Sequence, residues 1–249
     1  MKRVLGAAVL VGALFCPSAA SAQNLWLDVD FGFAVPAEKN FNAAVHPTLF
    51  QEPATFSTDY TLGTGAVFGV GGGYMFSKKV GVGVNFSSAA FPGDAVNNAH
   101  VPHPGVFNAY GDDSEPSEHE VNRGEAAFNI HVMFTLMDSG KSRVRVYGGP
   151  SFIKFRQTVV EDFFYTQTTN GTANNITITG SDVVDVKDST WGFHVGGDYN
   201  YFFNRIIGVG GFARYIFGSK TIDNPLPDNS TIDLKLGGLQ AGAGLRLRF

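Results

Sequence analysis

The chain has a single cysteine, Cys16, and no long apolar run after its first 22 residues. One cysteine cannot form an intramolecular disulfide. A membrane helix needs about 20 consecutive apolar residues, so a helical membrane protein is excluded. The chain also lacks a basic excess. Its formal net charge of −4 argues against a nucleic-acid partner, which would require a basic face.

The N-terminus has the pattern of a secretory signal peptide. Lys2 and Arg3 precede an apolar stretch over residues 4–15, and Ala20-Ser21-Ala22 matches a small-residue cleavage site. We therefore expect residues 1–22 to be a cleaved signal peptide and residues 23–249 to form one mature domain. A lipoprotein signal at Cys16 is the alternative. Phe15 argues against it, because such signals have a small residue before the cysteine.

Glycine and phenylalanine are abundant, with 31 and 23 copies, and apolar residues often occupy every second position. At the C-terminus, Leu245, Leu247 and Phe249 alternate with Arg246 and Arg248. Side chains of a strand point alternately to its two faces, so this segment has one apolar and one polar face. Such a strand is typical of a β-barrel in lipid.

The same alternation predicts eight strands. They cover approximately Asn24–Ala34, Thr61–Phe76, Val80–Ser87, Glu125–Leu136, Arg143–Phe155, Thr190–Phe202, Ile206–Gly218 and a last strand from Thr231. The links between them are alternately short and long, as with periplasmic turns and extracellular loops. We predict an all-β fold, an eight-stranded antiparallel transmembrane β-barrel. A soluble β-sandwich is the alternative, but it does not explain the signal peptide and the loop alternation together.

The segment Gly237-Gly238-Leu239-Gln240 and the alternating strand after it resemble the end of many small outer-membrane β-barrels. The whole mature chain is similar to this superfamily, of the OmpA, OmpX and OmpW kind. The resemblance implies an outer-membrane location and contact with outer-membrane lipids and lipopolysaccharide. It also implies that the barrel-assembly machinery recognises the terminal strand through Leu245, Leu247 and Phe249. We expect a monomer without the peptidoglycan-binding domain of OmpA-type proteins.

Charged residues occupy many predicted lumen positions. These are Asp28, Asp30, Arg143, Arg145, Asp198, Arg214, Arg246 and Arg248. Because the first and last strands must pair to close the barrel, we expect the two N-terminal aspartates to meet Arg246 and Arg248. Buried charges need partners, so a salt-bridge network that closes the lumen is the favoured interpretation. A narrow path for ions or small solutes is the second. A pathway for hydrophobic solutes would need an apolar outer lumen, and the predicted inward residues are too polar.

Two histidines, His131 and His194, also face the predicted lumen. Asp198 follows His194 on the same face of its strand, and Ser151 lies on a nearby strand. A nucleophile and its base must lie within hydrogen-bond reach. No local motif predicts that arrangement, so we interpret both histidines as members of the polar network. We expect no catalytic residue, no cofactor and no enzymatic activity.

Two outer loops have other candidate roles. His100, His103, Asp112, Asp113, Glu115, Glu118, His119 and Glu120 include residue types that bind zinc. The surrounding proline and glycine give no fixed ligand geometry, so we predict no metal site. The segment 159–179 alternates at Ile176 and Ile178, which is consistent with a projecting hairpin, although a flexible surface loop is favoured. Next to the predicted periplasmic turn at Asn204-Arg205, an aromatic girdle is predicted from Tyr199, Tyr201, Phe202 and Phe203.

The sequence thus predicts an integral outer-membrane barrel with a structural or narrow-pore role. Surface adhesion or ligand binding through the extracellular loops is the alternative function.

Overall fold

The computed structural model describes residues 24–106, 111–171, 173–226 and 230–249. The predicted signal peptide, residues 1–22, lies outside them. No helix long and apolar enough to cross a membrane occurs in the described residues. Their strands are β1 (Leu25–Pro36), β2 (Asn40–Val45), β3 (Thr48–Leu49), β4 (Glu52–Pro53), β5 (Thr55–Leu62), β6 (Gly65–Met75), β7 (Val80–Val101), β8 (Asp112–Asp113), β9 (Ser117–Asp138), β10 (Ser142–Asn170), β11 (Ala173–Phe202), β12 (Ile207–Asp223) and β13 (Thr231–Arg248).

Eight of these strands form a closed antiparallel ring. Its order is β1, β6, β7, β9, β10, β11, β12 and β13, and β13 pairs again with β1. At closure, Asp28 lies opposite Arg246 and Leu27 lies opposite Leu247. The predicted eight-stranded barrel is therefore confirmed.

The apolar side chains change face along each long strand. In β10, Val146 points outward, whereas Ile153 and Phe155, further up the strand, are buried inside. The same change separates outward Leu239 from inward Leu236 in β13. The lower part of the barrel thus presents apolar residues to lipid, and the upper part buries them as a water-soluble protein does.

A row of aromatic side chains marks the level of this change. Pairing places Phe86 opposite Phe128, Phe128 opposite Phe152, and Phe152 opposite Trp191. Below the row, the outer surface is a belt of exposed apolar residues. On β9 the belt runs from Phe128 to Leu136, about 27 Å along the strand. With a tilt of about 40° this covers about 21 Å of membrane thickness, close to the apolar band of such barrels.

Aromatic residues also line the periplasmic end of the belt. Tyr199, Tyr201 and Phe203 are exposed there, and the rings of Tyr201 and Phe203 lie 5.7 Å apart. These three agree with the predicted girdle. Phe202 does not, because its side chain points inward and is buried beneath the guanidinium of Arg248, 4.0 Å from its ring centroid.

Most of the predicted extracellular loops are strands. β7 continues to Val101 and β9 begins at Ser117, so the predicted ends at Ser87 and Glu125 are wrong. The predicted second strand, Thr61–Phe76, is two strands that separate after Leu62. Its first part belongs to β5, which pairs with β2 and with the upper part of β7. The antiparallel sheet therefore extends far above the membrane belt.

The segment favoured as a flexible loop is a hairpin. β10 and β11 pair as far as Asn170 and Ala173, with irregularities after Val160 and Phe164. Near its tip, Ile176 and Ile178 are buried in a second apolar cluster. That cluster also contains Val45, Ala54, Phe56, Ala99, Val101 and Leu226. The extracellular part of the protein therefore has its own core.

β13 bends sharply where β1 ends. Gly237 and Gly238 have φ angles of 86° and 114°, which L side chains rarely adopt. A Cβ on Gly237 would lie 2.3 Å from the carbonyl oxygen of Ile216. Only glycine fits this bend, after which the upper part of β13 pairs with β12 alone.

Candidate functional site in the lumen

Buried ion pairs cross the lower lumen. Arg145 donates two hydrogen bonds of 2.9 Å to Asp198, one from Nε to Oδ1 and one from Nη2 to Oδ2. Arg246 donates from Nη1 to Asp30 at 2.6 Å, and its Nε lies 3.5 Å from Asp28. Asp28 also lies 3.7 Å from Arg145, so it joins the two pairs into one network. All of these residues belong to strands of the barrel wall. Their side chains point into the lumen because successive side chains of a strand point to opposite faces.

Arg214 occupies the next level up. Its guanidinium donates a hydrogen bond of 2.8 Å from Nε to Gln240 and another from Nη1 to Asn85. Its Nη2 has no hydrogen-bond partner among the described residues. Among the described residues, the lower lumen therefore holds Arg145, Arg214 and Arg246 together with Asp28, Asp30 and Asp198.

Arg143 and Arg248 are not part of this network, contrary to the prediction. Arg143 lies at the periplasmic rim, where its Nη2 is 2.8 Å from Asp138. Arg248 donates hydrogen bonds to the carbonyl oxygens of Arg205 and Gly140. Both residues have inward parity but lie so close to the strand ends that they reach the turns. Asp28 and Asp30 thus contact Arg246 but not Arg248.

A layer of polar and aromatic side chains lies beside the ion pairs. Ser151 Oγ is 2.9 Å from Nδ1 of His194 and donates a hydrogen bond of 2.7 Å to Asn129. The rings of His131 and His194 are 5.4 Å apart. Asp198 is occupied by Arg145, so the serine and histidine have no carboxylate partner within the described residues.

One cavity lies between these groups, with a volume of about 20 Å³. It is lined by members of the network and by His131, His194 and Tyr147. A water molecule needs about 10–15 Å³ of such volume, so the cavity has room for about one. Below it, Trp26, Met75 and Met133 form an apolar cluster against Tyr147. The lower lumen is thus filled by its own side chains, as in other eight-stranded barrels.

The upper lumen is apolar, which differs from the expectation of a polar interior throughout. The buried residues there include Phe41, Tyr60, Leu62, Val121, Ile153, Phe155, Val159, Ile216, Ile232, Leu234 and Leu236. Their side chains come from β2 and β5 as well as from the ring strands. The sequence interpretation missed this layer because it ended most strands below it.

Arg123 and Glu125 are buried in this apolar layer, above the membrane belt. Arg123 donates hydrogen bonds of 2.6 Å to Gln157 and 3.0 Å to the carbonyl oxygen of Lys235. Glu125 Oε1 lies 3.9 Å from Nη1 of Arg123. Burial raises the pKa of Glu125 to about 7, although Arg123 and a backbone N–H oppose the rise. Burial likewise lowers the pKa of Arg123.

Sequence reasoning did not single out Arg123 and Glu125. Both share the parity of Asn129 and His131, the inward residues of the same strand. Extending that alternation past Gly124 would have indicated them.

The histidines and acids of the outer loop are dispersed. His100 Nδ1 lies 2.8 Å from Asp113, whereas His103 is buried and hydrogen-bonds to the carbonyl oxygen of Gly171. In the described ranges, no group of three or more His, Cys, Asp and Glu side chains has the arrangement of a metal site.

No protein-family model matches the chain, and no curated protein matches its sequence. Solved structures do match its fold. The outer membrane protein OprG from Pseudomonas aeruginosa is 13% identical, with 92% of this chain and 97% of that chain covered and a TM-score of 0.52. The outer membrane protease OmpT from Escherichia coli is 8% identical over 92% and 97% of the two chains, with a TM-score of 0.46. Ail, the attachment invasion locus protein of Yersinia pestis, is 11% identical over 90% and 99%, with a TM-score of 0.41.

The similarity to OprG shows a shared fold. The chain is therefore a small β-barrel of the outer-membrane type. Its closed ring and its belt of exposed apolar side chains require lipid around them. Bacterial barrels of this construction lie in the outer membrane, and this is the location of the protein.

Proposed function

We propose that the protein is a structural outer-membrane barrel whose lumen is closed. The observation that carries this proposal is the buried network of Arg145, Arg246 and their aspartates, which leaves a cavity of only about 20 Å³ beside it. A hydrated ion needs far more space than one water occupies. The apolar layer above the network adds a second barrier to ions.

Conductance in planar bilayers tests this proposal. The refolded wild-type barrel is expected to give no discrete openings. Arg246→Ala removes a side chain of the network. Arg248→Ala is the matched control, because Arg248 lies at the periplasmic end, over Phe202, and its hydrogen bonds go to the carbonyl oxygens of the turns. Wild-type openings that change with Arg246→Ala but not with Arg248→Ala would refute the closed lumen and support a narrow arginine-lined path.

The proposal includes no catalytic role. Ser151 and His194 are in contact, but Asp198 is held by Arg145 and the adjoining cavity has no room for a substrate. Hydrolysis by a serine nucleophile requires the base to be oriented by a third group and the substrate to reach the hydroxyl. We expect Ser151→Ala to change no hydrolytic activity of the outer membrane.

A second candidate function is binding at the cell surface. The observation that favours it is the extracellular sheet, which has its own apolar core and extends to the tip of the β10–β11 hairpin. A rigid projecting hairpin presents a defined surface, because a ligand does not have to order it on binding.

Shortening the hairpin separates the two candidates. Residues 163–181 would be replaced by a two-glycine turn, which removes the tip but leaves every residue of the membrane belt. If the hairpin binds a surface partner, bacteria that carry the shortened protein adhere less to matrix-coated surfaces, while the barrel folds as before and its behaviour in planar bilayers is unchanged. Equal adhesion of both strains would contradict the binding function.

We further propose that the monomeric barrel is inserted through its terminal strand, with Leu245, Leu247 and Phe249 as the recognised residues. In the folded barrel the N–H of Phe249 donates a hydrogen bond of 2.8 Å to the carbonyl oxygen of Leu25. Phe249→Ala is expected to reduce the amount of assembled barrel in cells but not refolding in detergent. A matched loss in both experiments would indicate a folding defect and contradict recognition.

A further inference from the structure

A shallow groove lies on the outer surface of the barrel just above the aromatic row. Its volume is about 570 Å³, and it runs over β7, β9, β10 and β11. Its floor consists of the small outward residues Ser88, Ala90, Gly124 and Ala126. One side of the groove is formed by the basic residues Lys154, Arg156 and Lys187.

The strand register fixes the depth of these residues in the membrane. On the outer face of β10, Lys154 lies two residues above Phe152, and Arg156 lies two residues above Lys154. Arg156 is opposite Lys187 of β11. Each step of two residues rises about 7 Å along a strand. The basic residues therefore begin within about 7 Å of the row Phe86, Phe128, Phe152 and Trp191, which ends the apolar belt. The lipid phosphates are located at this level, just outside the hydrocarbon boundary.

The charges of the groove favour an anionic ligand. Arg156 forms an ion pair with Asp185, and Lys220 of β12 forms one with Asp188. Lys154 and Lys187, by contrast, have no carboxylate within 4.0 Å among the described residues. The ammonium group of Lys154 lies 5.9 Å from the centroid of the Phe152 ring, so it sits directly over the aromatic row. Asp188 also lines the groove, so the four basic residues Lys154, Arg156, Lys187 and Lys220 face the two carboxylates of Asp185 and Asp188, which leaves an excess of two positive charges.

We propose that this groove binds the phosphate groups of a phosphorylated glycolipid of the lipid A type in the outer leaflet. Lys154 and Lys187 contact the phosphates, and the small residues of β7 and β9 make room for the sugar headgroup. The acyl chains lie against the aromatic row below. Each basic residue near a membrane surface increases the binding of anionic lipids by up to about fivefold.

The test is a titration of the detergent-solubilised barrel with fluorescent bisphosphorylated lipid A, and in parallel with lipid A lacking both phosphates. The Lys154→Gln/Lys187→Gln variant is compared with Lys78→Gln/Lys79→Gln, which removes the same charge at the exposed periplasmic turn. All four lysines are exposed, so both variants should fold, and heat-modifiable migration in gels checks that they do.

The groove variant is expected to bind bisphosphorylated lipid A about tenfold more weakly, and the turn variant about as tightly as wild type. Removing the phosphates from the lipid should cause a similar loss in wild type and no further loss in the groove variant. Raising the salt concentration should weaken wild-type binding, because exposed charges are screened. Equal affinities of the two variants, or equal binding of the lipid without phosphates, would overturn the proposal.

Discussion

Glu125 and Gly237 are joined across the lumen: the Glu125 carboxylate accepts a hydrogen bond of 2.8 Å from the N–H of Gly237. The two residues belong to β9 and β13, which are not neighbours in the ring. Gly237 is the first residue of the bend at which β1 leaves β13, and the N–H of Ala37 binds its carbonyl oxygen. A carboxylate buried in an apolar layer thus holds the point where the ring changes its pairing.

The stability of the barrel should fall as the pH rises through the titration of Glu125. Its carboxyl has a pKa of about 7 in the folded chain and an ordinary value of 4.5. Between these values the folded state binds more protons than the unfolded state, so the free energy of unfolding decreases with pH. The stabilisation is complete below about pH 4.5 and lost above about pH 7, with a size of about 3 kcal/mol.

Urea unfolding in detergent micelles between pH 4.5 and 8 measures this effect. Glu125→Gln should reduce the pH dependence, because its amide stays neutral throughout. Asp188→Asn, at an exposed site beside Lys220, is the control and should leave the dependence in place. A wild-type slope that persists in the Glu125 variant would show that another group is responsible.

Arg145→Ala should destabilise the barrel far more than Arg143→Ala. The first change leaves Asp198 buried without its partner, which costs about 3–5 kcal/mol. The second removes an ion pair at the partly exposed periplasmic rim, which contributes about 1 kcal/mol or less. Unfolding free energies in the same micelles compare the two, and similar losses would contradict the assignment of Arg143 to the rim.

Gly237→Ala should impair folding, whereas Gly124→Ala should not. A left-handed backbone costs a non-glycine residue about 1–2 kcal/mol, and the new Cβ would collide with Ile216. Nothing lies within 4 Å of a Cβ placed on Gly124. The refolded fraction, read from heat-modifiable migration in gels, should be reduced only for Gly237→Ala. A normal yield for that variant would show that the bend relaxes without cost.

The β10–β11 hairpin can be checked with an engineered disulfide. Thr166 lies opposite Thr177, so Thr166→Cys/Thr177→Cys should cross-link on oxidation. Cys16, the single native cysteine, lies within the predicted signal peptide and would not interfere in the mature chain. The displaced pair Thr166→Cys/Thr179→Cys should cross-link much less. Equal cross-linking of the two pairs would indicate a flexible loop rather than a hairpin.

The membrane part of the fold could be predicted from the sequence, because apolar and polar residues alternate there without a change of parity along each strand. Val80, Val82 and Val84 alternate with glycine or asparagine, and the barrel places them as expected, with outward valines. Arg145 and Asp198 face the lumen for the same reason. Period-two alternation does not give the distance of a residue from the strand end. It therefore predicts lumen positions for Arg143 and Arg248, which lie at the periplasmic ends of their strands.

The extracellular strands could not be predicted in the same way. In β10 the apolar residues occupy even positions up to Phe152 and odd positions from Ile153 onward. A prediction that follows a single alternation of apolar and polar residues therefore ends the strand at this point. Beyond it, Lys154 and Arg156 resemble a loop although they belong to the same strand. The partners of β2 and β5 depend on contacts between distant segments, such as Tyr60 with Val160, which no local pattern indicates.

The change of parity also means that the chain encodes its own depth in the bilayer. In a thicker membrane, Lys154 and the basic residues at its level would enter the hydrocarbon. In a thinner membrane, the aromatic row would be exposed to water. Each ångström of such mismatch costs a fraction of a kcal/mol, to be met by tilting the barrel or deforming the lipid. The sequence is thus matched to one hydrophobic thickness, and a change of that thickness would be felt first at the boundary between Phe152 and Lys154.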